Sequence, residues 1–165
     1  MKKTTDDTAE ILRLLHQVKD PEIPVLSVVD MGVVRHIEIR DGEIWVTITP
    51  TYSGCPAMNT IAKDIEDFLL GQGFSPVTIK TVLSPTWTTD WITENGRKAL
   101  KDYGIAPPSK ESWDKKNIML EEVVVKCPRC ESQNTQMTSE FGSTACKALY
   151  KCLDCLEPFD YFKCI

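Results

Sequence analysis

Four of the seven cysteines fall into two Cys-x-x-Cys pairs, Cys127-Pro128-Arg129-Cys130 and Cys152-Leu153-Asp154-Cys155. Each pair predicts a tight knuckle whose two thiols point the same way. The 21 residues between the pairs, 131–151, are enough for one hairpin that brings the knuckles face to face. Two facing knuckles make a tetrahedral four-sulfur site with metal–sulfur bonds of roughly 2.3 Å. The expectation is a zinc ribbon with Cys127, Cys130, Cys152 and Cys155 as ligands of a structural zinc. A mononuclear iron fits the same spacing. The competing reading is a pair of disulfides, or buried thiols that recur at this interval. An odd cysteine count argues against a disulfide framework, as does an N-terminus without the apolar run of a signal peptide. The expected location is the reducing cytoplasm.

Cys55 is the most suggestive thiol outside the ribbon. It follows Tyr52-Ser53-Gly54 and precedes Pro56, where a helical pattern begins. A thiol at a helix start meets unpaired N–H groups and the positive end of the dipole, which lower its pKa. The plainer reading is a small residue packed under the loop, as free cysteines often are. Asp20, Glu22 and Asp30 form a candidate carboxylate cluster, although Asp before Pro and Asp before Met-Gly are ordinary turn choices. His16 and His36 have no ligand spacing to any cysteine and read as surface or core residues. Trp87 and Trp91 suggest either a docking patch or aromatic residues capping a sheet end. Cys146 and Cys164 exceed the four ligands zinc needs, and are packing residues or part of a different metal cluster.

Several function classes recede on composition. The net charge is −5, and residues 121–165 carry five Lys or Arg against seven Asp or Glu. A ribbon that binds nucleic acid normally carries a basic surplus, because phosphate neutralisation supplies most of the affinity. No apolar run approaches the ~18 residues of a membrane span. Ser-His-Asp, Walker and dinucleotide motifs are absent from the sequence.

These residues must be positioned by elements legible in the pattern. Ile11, Leu12, Leu14, Leu15 and Val18 share one face of a helix expected over Thr8–Lys19, stopped by Asp20-Pro21. Two strands, Val33–Arg40 and Glu43–Thr49, flank Asp41-Gly42, a strong hairpin signal. A helix through Met58–Leu69 ends at Gly71-Gln72-Gly73, a strand covers Val77–Val82, and a short helix runs from about Thr93 to Tyr103. The order αββαβα predicts an α+β domain whose helices cover one sheet. The expected division is 1–105 for that domain, 106–120 for a linker with Pro107-Pro108 and Trp113, and 121–165 for the β-rich ribbon. Within the ribbon, short β runs are expected at Val123–Val125, Thr135–Thr138, Ala148–Tyr150 and Phe159–Phe162.

Read together, DPEIPVLSVVDMGVV, TPTYSGCPAM, PTWTTDW and YGIAPP resemble the metal–sulfur cluster assembly domain family. The CPRC, EFGSTACKALYKC, CLDC and EPFDYFKCI blocks narrow the resemblance to accessory subunits of bacterial phenylacetyl-CoA epoxidase. It covers about Ile11 to Ile165, apart from the linker. The resemblance implies a role in aerobic phenylacetate breakdown, assisting maturation of an iron or iron–sulfur centre without catalytic turnover. Its implied partners are the oxygenase or reductase components of the epoxidase, with a homodimer left open. The family's reactive cysteine falls on Cys55, its ribbon ligands on Cys127, Cys130, Cys152 and Cys155, and its acidic loop on Asp20, Glu22 and Asp30. Transient iron or iron–sulfur at Cys55 is the implied cargo. A purely structural scaffold is the main alternative. A thiol oxidoreductase ranks last, because Cys55 lacks a resolving cysteine in its own domain.

Overall fold

The computed structural model describes residues 5–108 and 124–163. It divides into two compact units, Met1–Thr93 and Glu94–Ile165. The mixed α+β class is as expected. No helix among the described residues is long and apolar enough to cross a membrane.

The first unit is built on a three-stranded sheet. Helix α1, Thr5–Leu15, buries Ile11 and Leu15. It stops short of the expected Lys19 because the following residues turn away: Val18 C=O accepts the Val28 N–H at 3.0 Å, and Lys19 bridges to Ser27. Strands β1, Val34–Arg40, and β2, Glu43–Ile48, form the antiparallel hairpin. Its turn carries Asp41 and Gly42, both at positive φ, which is the twist a two-residue hairpin requires. Helix α2, Met58–Gly71, crosses over to β3, Val77–Thr81, which pairs parallel to β2, so the sheet order is β1-β2-β3. The α2 C-terminus closes with Gly73 at positive φ and Phe74 N–H on Leu69 C=O. Ile44, Val46 and Ile48 of β2 are fully buried, as are Ile65 and Leu69 of α2. Alternation in the strand and 3.6-residue spacing in the helices give the sheet one covered face.

The loop 82–93 and the turn 27–32 lock together within this unit. Trp87 is 1% exposed and its Nε1–H donates to Met31 C=O at 3.0 Å. Trp91, in a single 3-10 turn at Thr89–Trp91, is half-buried, with the Arg35 guanidinium 3.4 Å above its ring. Trp87 therefore serves the interior, while Trp91 keeps part of its surface exposed beneath Arg35. A Cβ on Gly32 would lie 2.6 Å from both Cβ and O of Trp91, and its φ is +76°, so only glycine fits.

The second unit begins with helix α3, Glu94–Tyr103, which the sequence pattern assigns to the first domain. It groups with the ribbon because the next strand, β4, Ile105–Ala106, pairs parallel to β7. Strands β5, Thr135–Ser139, β6, Lys147–Cys152, and β7, Pro158–Phe162, complete a sheet of order β4-β7-β6-β5. Val124 and Val125 lie outside any strand. One buried cluster of this unit joins Ala106, Val125, Cys127, Cys152 and Phe159, with Tyr150, Cys155 and Tyr161 packed against it, and Leu100, Ile105, Ala148 and Phe162 are buried as well. Trp113 and Cys164 lie outside the described residues.

Candidate functional site

Each unit carries one candidate site. In the second unit the four ribbon sulfurs all lie within 4.8 Å of one another. Across the knuckles, Cys127 Sγ is 3.7 Å from Cys155 Sγ, and Cys130 Sγ is 3.5 Å from Cys152 Sγ. A tetrahedron with bonds of about 2.3 Å has sulfur–sulfur edges of roughly 3.8 Å. The tetrad is thus already spaced for a tetrahedral metal, and no disulfide links any described cysteine.

The two knuckles repeat one backbone design. Cys127 N–H bonds Ser132 C=O, and Cys152 N–H bonds Glu157 C=O, each at 2.9 Å and each five residues on. The residue before each acceptor has left-handed backbone, Glu131 at φ 62° and Leu156 at φ 66°. Cross-bonds join the knuckles: Asp154 accepts Asn134 Nδ2 at 2.7 Å and the Ser132 hydroxyl, and Arg129 pairs with Glu157.

The thiols differ in acidity. Backbone N–H donation from Cys155 is the leading influence on Cys152. It outweighs burial and, with the Asp154 N–H and the neighbouring thiols, brings the pKa down to about 7. Cys130 receives a Ser132 N–H that favours its thiolate, but burial and the three neighbouring thiols push it up to about 12. A metal must therefore displace protons to gather four thiolates. Cys146 is buried, with its Sγ 3.1 Å from Thr144 Oγ1, and it is not a member of the tetrad.

In the first unit Cys55 is half-buried in the loop between β2 and α2. It lies ahead of the helix rather than at its cap, because α2 starts at Met58 and the cap is Ala57. Burial is the largest influence on its thiol and raises the pKa above the ordinary value. The Ala57 N–H and the Tyr52 side chain favour the thiolate, while Glu22 and Asp20 oppose it. The expected helix-start activation is outweighed.

The carboxylates separate into two groups that spacing does not distinguish. Asp20 and Glu22 come near enough to Cys55 to act on its charge. Asp20 Oδ1 also accepts the N–H groups of Glu22 and Ile23, both at 2.8 Å, which fixes the turn around Pro21. Asp30 belongs to a different cluster. Its Oδ1 accepts Thr93 Oγ1 at 2.6 Å, and its Oδ2 accepts Ser27 Oγ at 2.7 Å and faces His16 Nδ1 at 3.3 Å. His16 therefore lies against the Asp30 carboxylate, a partnership no cysteine spacing signals.

Similarity to known proteins places this geometry in a family. Residues 8–73 match the family described as iron–sulfur cluster assembly protein, and residues 112–163 match the PaaD zinc β-ribbon domain. A protein of Escherichia coli (strain K12), provisionally named as a subunit of 1,2-phenylacetyl-CoA epoxidase, is 52% identical over 157 residues. That alignment spans 94% of this chain and 92% of the relative. An Fe-S protein maturation auxiliary factor of Porphyromonas gingivalis is 36% identical over 87 residues, 52% of this chain and 82% of that protein. The crystal structure of a domain of unknown function, DUF59, from Bacillus anthracis shares the fold, with a TM-score of 0.53 and 23% identity over 56% of this chain and 90% of that one. The chain belongs to the PaaD family of phenylacetyl-CoA epoxidase subunits, with an iron–sulfur cluster assembly region ahead of a zinc ribbon.

Proposed function

We propose that this chain is an accessory subunit of the phenylacetyl-CoA epoxidase system, working in the cytoplasm without catalytic turnover of its own. It assists maturation of an iron or iron–sulfur centre in the oxygenase or its reductase component. The observation that carries this reading is the position of Cys55. It is a half-buried thiol outside the ribbon, within range of the charges of Asp20 and Glu22, in the segment 8–73 that matches the iron–sulfur cluster assembly family. A thiol and carboxylates together suit iron as a transient cargo, with the incoming cation displacing the thiol proton. Cys127, Cys130, Cys152 and Cys155 hold a structural zinc, which closes the ribbon that docks the client.

A scaffold reading is favoured by one observation, the raised pKa of Cys55 with its partial burial, which also suits a packing residue. A thiol oxidoreductase has no such support, since Cys55 is the one cysteine ahead of residue 127. The test is to mature the epoxidase alongside the wild-type chain or Cys55→Ala and count iron in each component. Maturation predicts a folded variant that binds its client yet leaves it short of iron and activity. Full iron loading with the folded variant would replace the thiol mechanism by the scaffold.

A further inference from the structure

We propose that Asp154 is a positioning residue, whose carboxylate clasps the second knuckle to the chain leaving the first and presets the four thiols for metal. The inference rests on the reading of the tetrad as a metal site. Each knuckle is closed within itself by its own backbone bonds, which fix two sulfurs relative to each other. Those bonds do nothing to hold one knuckle against the other. The β5–β6 ladder does part of that task, setting Cys152 opposite Thr135, and groups reaching across do the rest. Asp154 Oδ1 accepts Asn134 Nδ2 at 2.7 Å, and its other oxygen accepts the Ser132 hydroxyl. Ser132 Oγ is itself held by the Asn134 N–H at 3.0 Å, and Leu153 N–H donates to Asn134 C=O at 2.8 Å. The carboxylate thus sits between the two ligands of its own knuckle and grips two residues just past the other. The Arg129–Glu157 pair also crosses, but both side chains are largely exposed, so it contributes little.

The clasp has a physical task. Cross-knuckle sulfur contacts of 3.5 and 3.7 Å crowd thiols that repel once ionised. Groups that hold such a site together before binding spare the metal the work of closing it, as partners behind a ligand shell commonly do. A purely electrostatic role would have the opposite sign. A zinc held by four thiolates is doubly negative, and a nearby carboxylate would weaken it. The two roles separate on replacement by asparagine, which keeps hydrogen bonds to Asn134 and Ser132 but loses the charge.

The experiment measures zinc affinity of the full chain by chelator competition, with cobalt(II) absorption reporting the tetrahedral thiolate geometry. Asp154→Ala is expected to lose about tenfold or more in affinity. Asp154→Asn is expected to bind no more than about threefold more weakly than wild type. Ser132→Ala is expected to weaken binding less, and adding it to Asp154→Ala should cost little more, because the two share one bond. An Asp154→Ala chain that binds zinc as tightly as wild type would overturn the clasp. So would an Asp154→Asn chain that binds as weakly as the alanine variant. If Asp154→Ala does not fold, Ser132→Ala still decides: wild-type affinity there overturns the clasp. A wild-type chain that takes up neither zinc nor cobalt at the tetrad would overturn the metal reading beneath, and the clasp with it.

Discussion

Single side chains in this protein are governed by their nearest partners more than by their place along an element. Cys55 is the clearest case. Burial comes first, the nearby Glu22 and Asp20 add to it, and together they raise a thiol that a helix start would lower. Its alkylation in the zinc-bound protein should therefore be slow at neutral pH and accelerate about tenfold per pH unit toward pH 9, since the thiolate reacts. A rate already level above pH 6 would show a preformed thiolate and restore helix-start activation. Asp30 moves the other way. Burial raises its pKa, but hydrogen bonds from Thr93 and Ser27 and the charge of His16 outweigh it, so the folded value lies below the usual carboxylate range. A depressed folded pKa means the contribution is complete above the unfolded value, about 3.9, and fades as pH falls through the folded one. Asp30→Asn should thus be less stable than wild type at pH 7, with the gap narrowing from about pH 5 to pH 3 in denaturant titrations. A gap that stays constant with pH would mean the carboxylate's charge is not what the cluster uses.

At the scale of elements, the two knuckles are one design used twice, and both place a side chain where glycine would fit more easily. Glu131 and Leu156 occupy left-handed backbone, which costs an L-residue roughly 1–2 kcal/mol. Glu131 has a compensating contact, an ion pair to Lys101 of α3, although both side chains are well exposed. Leu156 is 64% exposed, so its side chain has little packing to lose. Leu156→Gly should therefore raise the stability of the zinc-bound ribbon by about 1 kcal/mol, less the extra freedom glycine gains when unfolded. Glu131→Gly should gain less, because it also loses the Lys101 pair. Thermal unfolding of the second unit checks both, and a destabilised Leu156→Gly would show that the leucine packs on something essential.

At the scale of the whole molecule, the two compact units have different sources of stability. The first buries a continuous set of aliphatic residues on one face of its sheet. In the second, a buried cluster is built partly from two of the four tetrad cysteines, Cys127 and Cys152. Structural zinc supplies on the order of 10–16 kcal/mol in small fingers, enough to decide whether such a unit folds. Helix α3 belongs to this unit, tied to it by β4 pairing with β7, by the Lys101–Glu131 pair and by Arg97 donating to Pro108 C=O. Chelation should therefore release the amides of α3 together with those of β5–β7 in hydrogen exchange, while α1, α2 and the β1-β2-β3 sheet stay protected. Loss of protection in both units at once would make them one cooperative body. Persistence of α3 after the ribbon opens would move the boundary back toward Ile105.

The sequence by itself determined most of the elements and the ribbon. Spacing alone brought Cys127, Cys130, Cys152 and Cys155 together, because a Cys-x-x-Cys knuckle is local and one hairpin joins two of them. Alternation marks β1 and β2, Asp41-Gly42 marks their turn, and helical period marks α2, since each is set by neighbours a few residues apart. What required the tertiary structure was every pairing between distant segments. Asp20 and Glu22 act on the charge of Cys55, while Asp30 turns instead to Thr93, Ser27 and His16. Trp87 goes inside with its indole N–H satisfied by Met31 C=O, and the Arg35 guanidinium lies over Trp91. Helix α3 is legible as a helix, but the unit it joins depends on a two-residue strand pairing with β7, which periodicity does not register. Local pattern carries the conformation of a segment. Which segment it packs against, and hence the charge state of its thiols and carboxylates, is decided by contacts that no spacing along the chain records.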